Sequence, residues 1–142
     1  MYVTHVSRVA ESSIVPAEVP GGRRATVRWV IGEEHGAPNF EMRLFHLDEG
    51  MNTEWHQHPW EHEVFVVAGR GFVRSEAGDT PLEPGSVVFV PPGEMHQFRA
   101  APDHAIEFIC VVPRGTRACT MDAPGQAARR LGGAHVPPSA SA

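Results

Sequence analysis

The stretch Gly50–Gly71, GMNTEWHQHPWEHEVFVVAGRG, places three histidines, His56, His58 and His62, within seven residues. In an extended chain, residues i and i+2 face the same side, so His56 and His58 are neighbours. Pro59 has no backbone donor and interrupts regular pairing, so a turn or bulge there brings His62 back to the group. Beyond it, Val64 and Val66 continue the side that holds His62, while Glu63 points away. Imidazoles that converge on one point are how a protein builds a transition-metal site.

Working outward, a second stretch, GSVVFVPPGEMHQF (Gly85–Phe98), reads as a strand, a Pro91-Pro92-Gly93 turn and a further histidine, His96, with Phe98 on the same face. Short apolar runs recur elsewhere: Ala25–Ile31, Phe40–Leu47, Val64–Ala68, Phe72–Ser75, Val87–Val90 and Ala105–Val112. All but Phe72–Ser75, which runs into EAGD, are followed directly by Gly, Pro or Asp, and none shows a sustained helical period before residue 120. Many short strands with no helices between them predict an all-β antiparallel sandwich or barrel. The segment EAGDTPLEPG after Ser75 reads as a connection.

VFVVA is apolar on both faces, with Val64 and Val66 on one and Phe65 and Val67 on the other. Something must therefore cover the outer face: another sheet, the N-terminal arm or a second subunit. A homodimer is the expectation taken forward. The chain divides into an N-terminal arm (1–24), which can supply a dimer-forming strand, a barrel (25–120) and an Ala/Gly/Pro-rich tail (121–142).

The chain has 142 residues, the size of one domain, and a formal charge of −5. That balance argues against sequence-independent nucleic-acid binding, which needs a basic face. All twelve basic residues are arginine, so Schiff-base and lysine general-base chemistry are excluded. No run approaches the roughly 20 apolar residues of a membrane span, and the first residues do not form a signal peptide. The cytoplasm is the expected compartment. Two cysteines, Cys110 and Cys119, are expected to be thiols there.

Together the two histidine stretches resemble the two motifs of the cupin superfamily. The first reads G-x(5)-H-x-H-x(3,4)-E-x(6)-G, and Gly50, His56, His58 and Gly69 fall at its positions. The second reads G-x(5)-P-x-G-x(2)-H-x(3)-N, and Gly85, Pro91, Gly93 and His96 match, with Ala100 at the Asn position. The departure is at the glutamate position, which is His62. The chain is similar to the small single-domain bacterial cupins with a four-histidine site. WEHEVFV and APNFEMRLF resemble a manganese-binding member of that subgroup from a thermophile. The resemblance implies a jelly-roll β-barrel (a double-stranded β-helix) around one divalent metal. Its ligands would be His56, His58, His62 and His96. Manganese is the first expectation, with Fe, Cu, Ni or Zn as alternatives.

Four neutral imidazoles leave the full charge of a divalent ion in place, so such a site favours anionic or chelating oxygen ligands. Its affinity is expected to fall on acidification near a histidine pKa of about 6.5. Parity puts Phe98, Phe108 and Cys110 on the cavity side, with Glu107 away from it. Cys110 is either an oxidisable thiol or a small core hydrophobe. Arg43, a lone charge in an apolar strand, either steers an anionic substrate to the pocket or makes an outer salt bridge. Trp60 either packs over the ligand loop or closes the barrel end. His5, His35, His46, His104 and His135 are expected in solvent or local hydrogen bonds.

These features lead to a metal-dependent enzyme acting on a small apolar or enolisable substrate, a dioxygenase first. The alternatives are a redox-neutral isomerase, lyase or polyketide cyclase, and a non-catalytic small-molecule-binding cupin.

Overall fold

A computed structural model describes residues 1–15 and 19–117. Cys119, His135 and the tail expected over 121–142 lie outside the described residues. Nine strands account for the architecture: β1 (Ser12–Ser13), β2 (Ala25–Ile31), β3 (Phe40–Leu47), β4 (His62–Gly69), β5 (Gly71–Ser75), β6 (Gly78–Leu82), β7 (Val87–Val90), β8 (Gln97–Ala100) and β9 (Ile106–Pro113). Up to Thr116 the described residues hold three short 3-10 turns and no α-helix. No helix among them is long and apolar enough to cross a membrane.

The strands form two antiparallel sheets. One has the order β1-β2-β3-β9-β4-β7, the other β6-β5-β8. Together they make the all-β jelly-roll barrel expected from the sequence. Period-2 burial drives the closure. Along β9, Ile106, Phe108, Cys110 and Val112 are buried and alternate with half-buried neighbours. Along β4, His62, Val64 and Val66 are buried while Glu63, Phe65 and Val67 are exposed. Register then stacks the inner residues into rows: Arg43 opposes Cys110, which opposes Val64, and Phe45 opposes Phe108, which opposes Val66.

The chain passes from one sheet to the other at Gly69-Arg70-Gly71, where β4 ends and β5 begins one residue later. So abrupt a crossing brings backbones together. Gly69 has φ +80°, and a Cβ there would lie 1.9 Å from the Ala105 carbonyl oxygen. A side chain is excluded both by conformation and by space.

Three strands lie outside the apolar runs read from the sequence, the first being β1, two exposed serines that pair with β2 of the same chain. The expected connection after Ser75 contains β6, which forms a hairpin with β5. Pro81 and two glycines hid it. Proline is tolerated because β6 is an edge strand. β8 was masked by its brevity: Gln97–Ala100 has only Phe98 and Ala100 as buried apolar residues.

The outer face of the larger sheet carries Phe65, Val67, Val87 and Phe89 in the open, with Phe89 58% exposed. Phe65 pairs across the strands with Val87, so these side chains adjoin. The N-terminal segment does not cover them: β1 pairs with β2 at the opposite edge of the sheet from β7.

Gly69→Ala is expected to destabilise the metal-free protein by about 3 kcal/mol or more in chemical denaturation, since backbone must move. Gly93→Ala is the control. Its φ is also +80°, but nothing lies within 4 Å of the added Cβ, so a loss of about 1 kcal/mol is expected. Equal losses would show that the Ala105 contact contributes nothing.

Candidate metal centre

His56 and His96 sit on an isolated antiparallel bridge. The His56 amide donates to the His96 carbonyl at 3.2 Å, and the His96 amide donates to the His56 carbonyl at 2.9 Å. Directly opposed residues of an antiparallel pair put their side chains on one face, so two ligand loops from distant sequence are registered by backbone alone. A second tie joins the same loops, where the Gly93 amide donates to the His58 carbonyl at 2.8 Å. His62 opens β4 with its ring inward by strand parity.

The result is a four-ring cluster. One ring nitrogen of each of His56, His58, His62 and His96 lies within 4.8 Å of all the others. His58, His62 and His96 are buried and His56 is partly exposed. The Nε2 atoms of His58 and His62 approach to 2.7 Å. That is close to the roughly 3 Å between neighbouring nitrogens around an ion with bonds of about 2.1 Å.

The outer nitrogens orient the rings. His58 Nδ1 donates to the Trp60 carbonyl and His96 Nδ1 to the Glu94 carbonyl, both at 2.8 Å. His56 Nδ1 faces Glu54 Oε2 at 3.6 Å. The first two arrangements keep the proton on Nδ1 and leave the Nε2 lone pair for a cation. His62 differs. Its Nδ1 lies 3.2 Å from Arg43 Nη2, a donor only, and 3.2 Å from Cys110 Sγ. With a cation on Nε2, the His62 Nδ1 proton goes to the Cys110 sulfur, which also accepts from Arg43 at 3.0 Å.

Burial keeps these rings neutral. His58 is lowered to about 4, by desolvation first and then by His96 and His56. His62 is lowered to about 2, by desolvation and then by the Arg43 charge. His56 and His96 are also lowered, chiefly by burial. Burial pushes the Cys110 thiol up, against the pull of Arg43. Neutral imidazoles with inward lone pairs and no carboxylate among them fit a divalent transition metal, and the cluster can hold one.

A cavity of about 380 Å³ opens beside the cluster. Phe98, Phe108, Cys110 and Arg43 all line it. Phe108 stacks with Phe45 at 5.1 Å and packs on Phe98 at 4.7 Å. Trp29, Phe45 and Glu54 line it too and were missed. The signal for Phe45 was its parity with Arg43 on β3. Nothing local marked Trp29 or Glu54. Trp60 lies flat on His58, with centroids 4.2 Å apart and planes 4° apart, so it packs on one ring of the cluster. Among the described residues Arg43 makes no outer salt bridge: the side chain is buried and contacts His62 and Cys110.

Of the other described histidines, His5, His35 and His104 stay local, whereas His46 reaches across to the neighbouring strand. His46 bonds Glu107 and Asp48, His5 bonds Ser7, His35 accepts from the Gly32 amide and His104 pairs with Asp103.

The profile of a family described as the cupin domain matches residues 43–112. The solved polyketide cyclase RemF from Streptomyces resistomycificus superposes with a TM-score of 0.70 at 30% identity, over 80% of this chain and 79% of that one.

The chain is a cupin.

Among curated relatives, this cupin is 37% identical to an (R)-mandelonitrile lyase of Granulicella tundricola over 69 residues, covering 48% of this chain and 53% of the lyase. It is 30% identical to a 1-methylthio-D-xylulose 5-phosphate methylsulfurylase of Rhodospirillum rubrum over 89 residues, covering 63% and 56%. The chain thus spans about half the length of the curated relatives it matches.

The lowered ring pKa values revise the pH dependence read from free histidine. Protons compete for a ligand nitrogen only below its pKa. Zinc affinity, measured by calorimetry with buffer correction, is therefore expected to stay level from pH 7 to pH 6 and to fall at lower pH. A tenfold loss already between pH 7 and pH 6 would contradict the desolvated site.

Proposed function

We propose that this cupin is a metal-dependent enzyme acting on a small organic substrate, with one divalent ion held by His56, His58, His62 and His96. The observation that carries the reading is a four-imidazole cluster, three of its rings buried, opening onto an apolar cavity. Manganese is the first ion proposed, although an all-imidazole set also suits Fe, Ni, Cu and Zn. Bound there, a divalent ion keeps its whole charge and supplies Lewis acidity that polarises a substrate oxygen.

The chain's own residues do the rest. The Trp60 and Glu94 carbonyls hold two rings in the ligand tautomer. Phe45, Phe98 and Phe108 wall off water and seat an apolar body. No carboxylate stands among the four ligands to act as a general base. Redox-neutral chemistry on an enolisable substrate is the reading favoured here. Relatives named as a lyase, a methylsulfurylase and a cyclase support it. Oxygen chemistry at the same centre, the first expectation from sequence, has no specific support among them.

A second copy of the chain as the cover for Phe65, Val67, Val87 and Phe89 completes the proposal. A contiguous apolar patch on a sheet face is characteristic of an interface.

Diketones and related carbonyl compounds supplied to the Mn, Fe, Cu and Zn forms are expected to turn over equally with and without air. Turnover that consumes oxygen stoichiometrically would restore the dioxygenase reading, and no turnover by any metal form would remove the enzymatic one. Sedimentation at about 10 μM is expected to give a dimer, and Phe89→Arg a folded monomer. A monomeric wild-type protein would leave the exposed face without its proposed partner.

A further inference from the structure

Arg43 is a buried cation with no ion-pair partner among the described residues. It sits on β3 with 4% of its surface exposed and lines the cavity beside the four histidines. Its Nη2 reaches His62 Nδ1 and Cys110 Sγ, a neutral ring and a thiol. Its Nε is buried with no hydrogen-bond partner. The guanidinium is held over two aromatic rings, 4.9 Å from the centroid of Phe45 and 5.4 Å from that of Trp29. Ring contacts fix the plane and supply only weak compensation for charge.

Leaving a cation buried and unpaired is costly, and native structures avoid it unless something completes the pair. The walls do not supply it. Arg117, which pairs with Glu34, lies 5.0 Å from the Trp29 centroid and adds a second cation. Among the described lining residues the one carboxylate, Glu54, is exposed and faces His56. A divalent ion on the histidines would raise the positive potential further. The cavity is built to be neutralised by its occupant.

We infer that Arg43 is a specificity-determining residue that binds a carboxylate of the substrate, so that the cavity selects small organic acids over their neutral counterparts. The planar fork of a guanidinium suits a carboxylate's two oxygens. The volume of about 380 Å³ is at the small end for ligand pockets. The body of the acid packs on Phe45, Phe98 and Phe108. This assignment rests on the cavity being the substrate site, but carboxylate binding is measurable without turnover and without metal.

The test compares benzoate with benzamide, its neutral near-isostere, on metal-free protein by calorimetry or ligand-observed NMR. Benzoate is expected to bind at least tenfold more tightly, with an affinity that falls as salt is added. Arg43→Gln is expected to remove that preference, weakening benzoate binding far more than benzamide binding. Arg43→Lys, which keeps the charge but loses the fork, is expected to retain part of it. Equal affinities in the wild-type protein, no binding of either probe, or a preference that survives Arg43→Gln in a folded variant would each overturn the assignment. Should Arg43→Gln not fold, the wild-type comparison and Arg43→Lys decide. Benzoate selectivity in a protein with no turnover would sink the enzymatic reading alone. Turnover without benzoate selectivity would sink the assignment of Arg43 alone.

Discussion

The reciprocal backbone pair between His56 and His96 is the constraint on which the site depends. These residues are forty positions apart, and two amide-carbonyl bonds place their rings on one face. The Gly93–His58 bond locks the same two loops a second time. With those loops fixed, His62 needs only to begin a strand with the correct parity. The imidazoles then meet because the backbone brings them together. Two backbone ties between the loops pre-position the rings, which lowers the ordering cost of holding a cation.

Preorganisation has an electrostatic consequence. Three rings are buried beside one another and beside a guanidinium, so the protonated forms are all disfavoured. Each ring is driven to the state a metal needs by the absence of water and the presence of Arg43. Removing the acidic ligand of the family motif strengthens this effect. A carboxylate at position 62 would pair with Arg43 and neutralise it. With His62 there, Arg43 keeps its charge and has only a ring nitrogen and a thiol to bond.

The fold and the histidine grouping were legible in the sequence for the same reason: both follow from short-range rules. Glycine and proline punctuation delimited most strands, and period-2 parity sent His62, Phe98, Phe108 and Cys110 to one side. Parity also separated Glu63 from His62. What remained hidden was set by packing between distant segments. β6 contains Pro81 and few apolar residues, so only its place at a sheet edge makes it a strand. Trp29 enters the cavity from another strand, and nothing in ATVRWVI announces it. The two environments open to Arg43 could not be separated without knowing which face of β3 was inside. Register with Cys110 decides it.

The larger sheet is thus used on both faces, and the two faces obey different rules. On the inner side the apolar rows are interrupted by Arg43 and the histidines, polar groups that can be buried because each has a chemical partner or awaits one. On the outer side the rows carry Phe65, Val67, Val87 and Phe89 with nothing polar to bind. Strand β4 belongs to both, since Val64 and Phe65 are adjacent residues with opposite destinations. A one-residue slip of β4 against β9 would exchange them, putting Glu63 and Phe65 into the barrel and His62 outside. Burial of Val64 and Val66 against Cys110 and Phe108 opposes that slip, and so would a partner on the outer face. The register that assembles the four histidines is therefore held from the inside by core packing, and a second subunit would hold it from the outside as well.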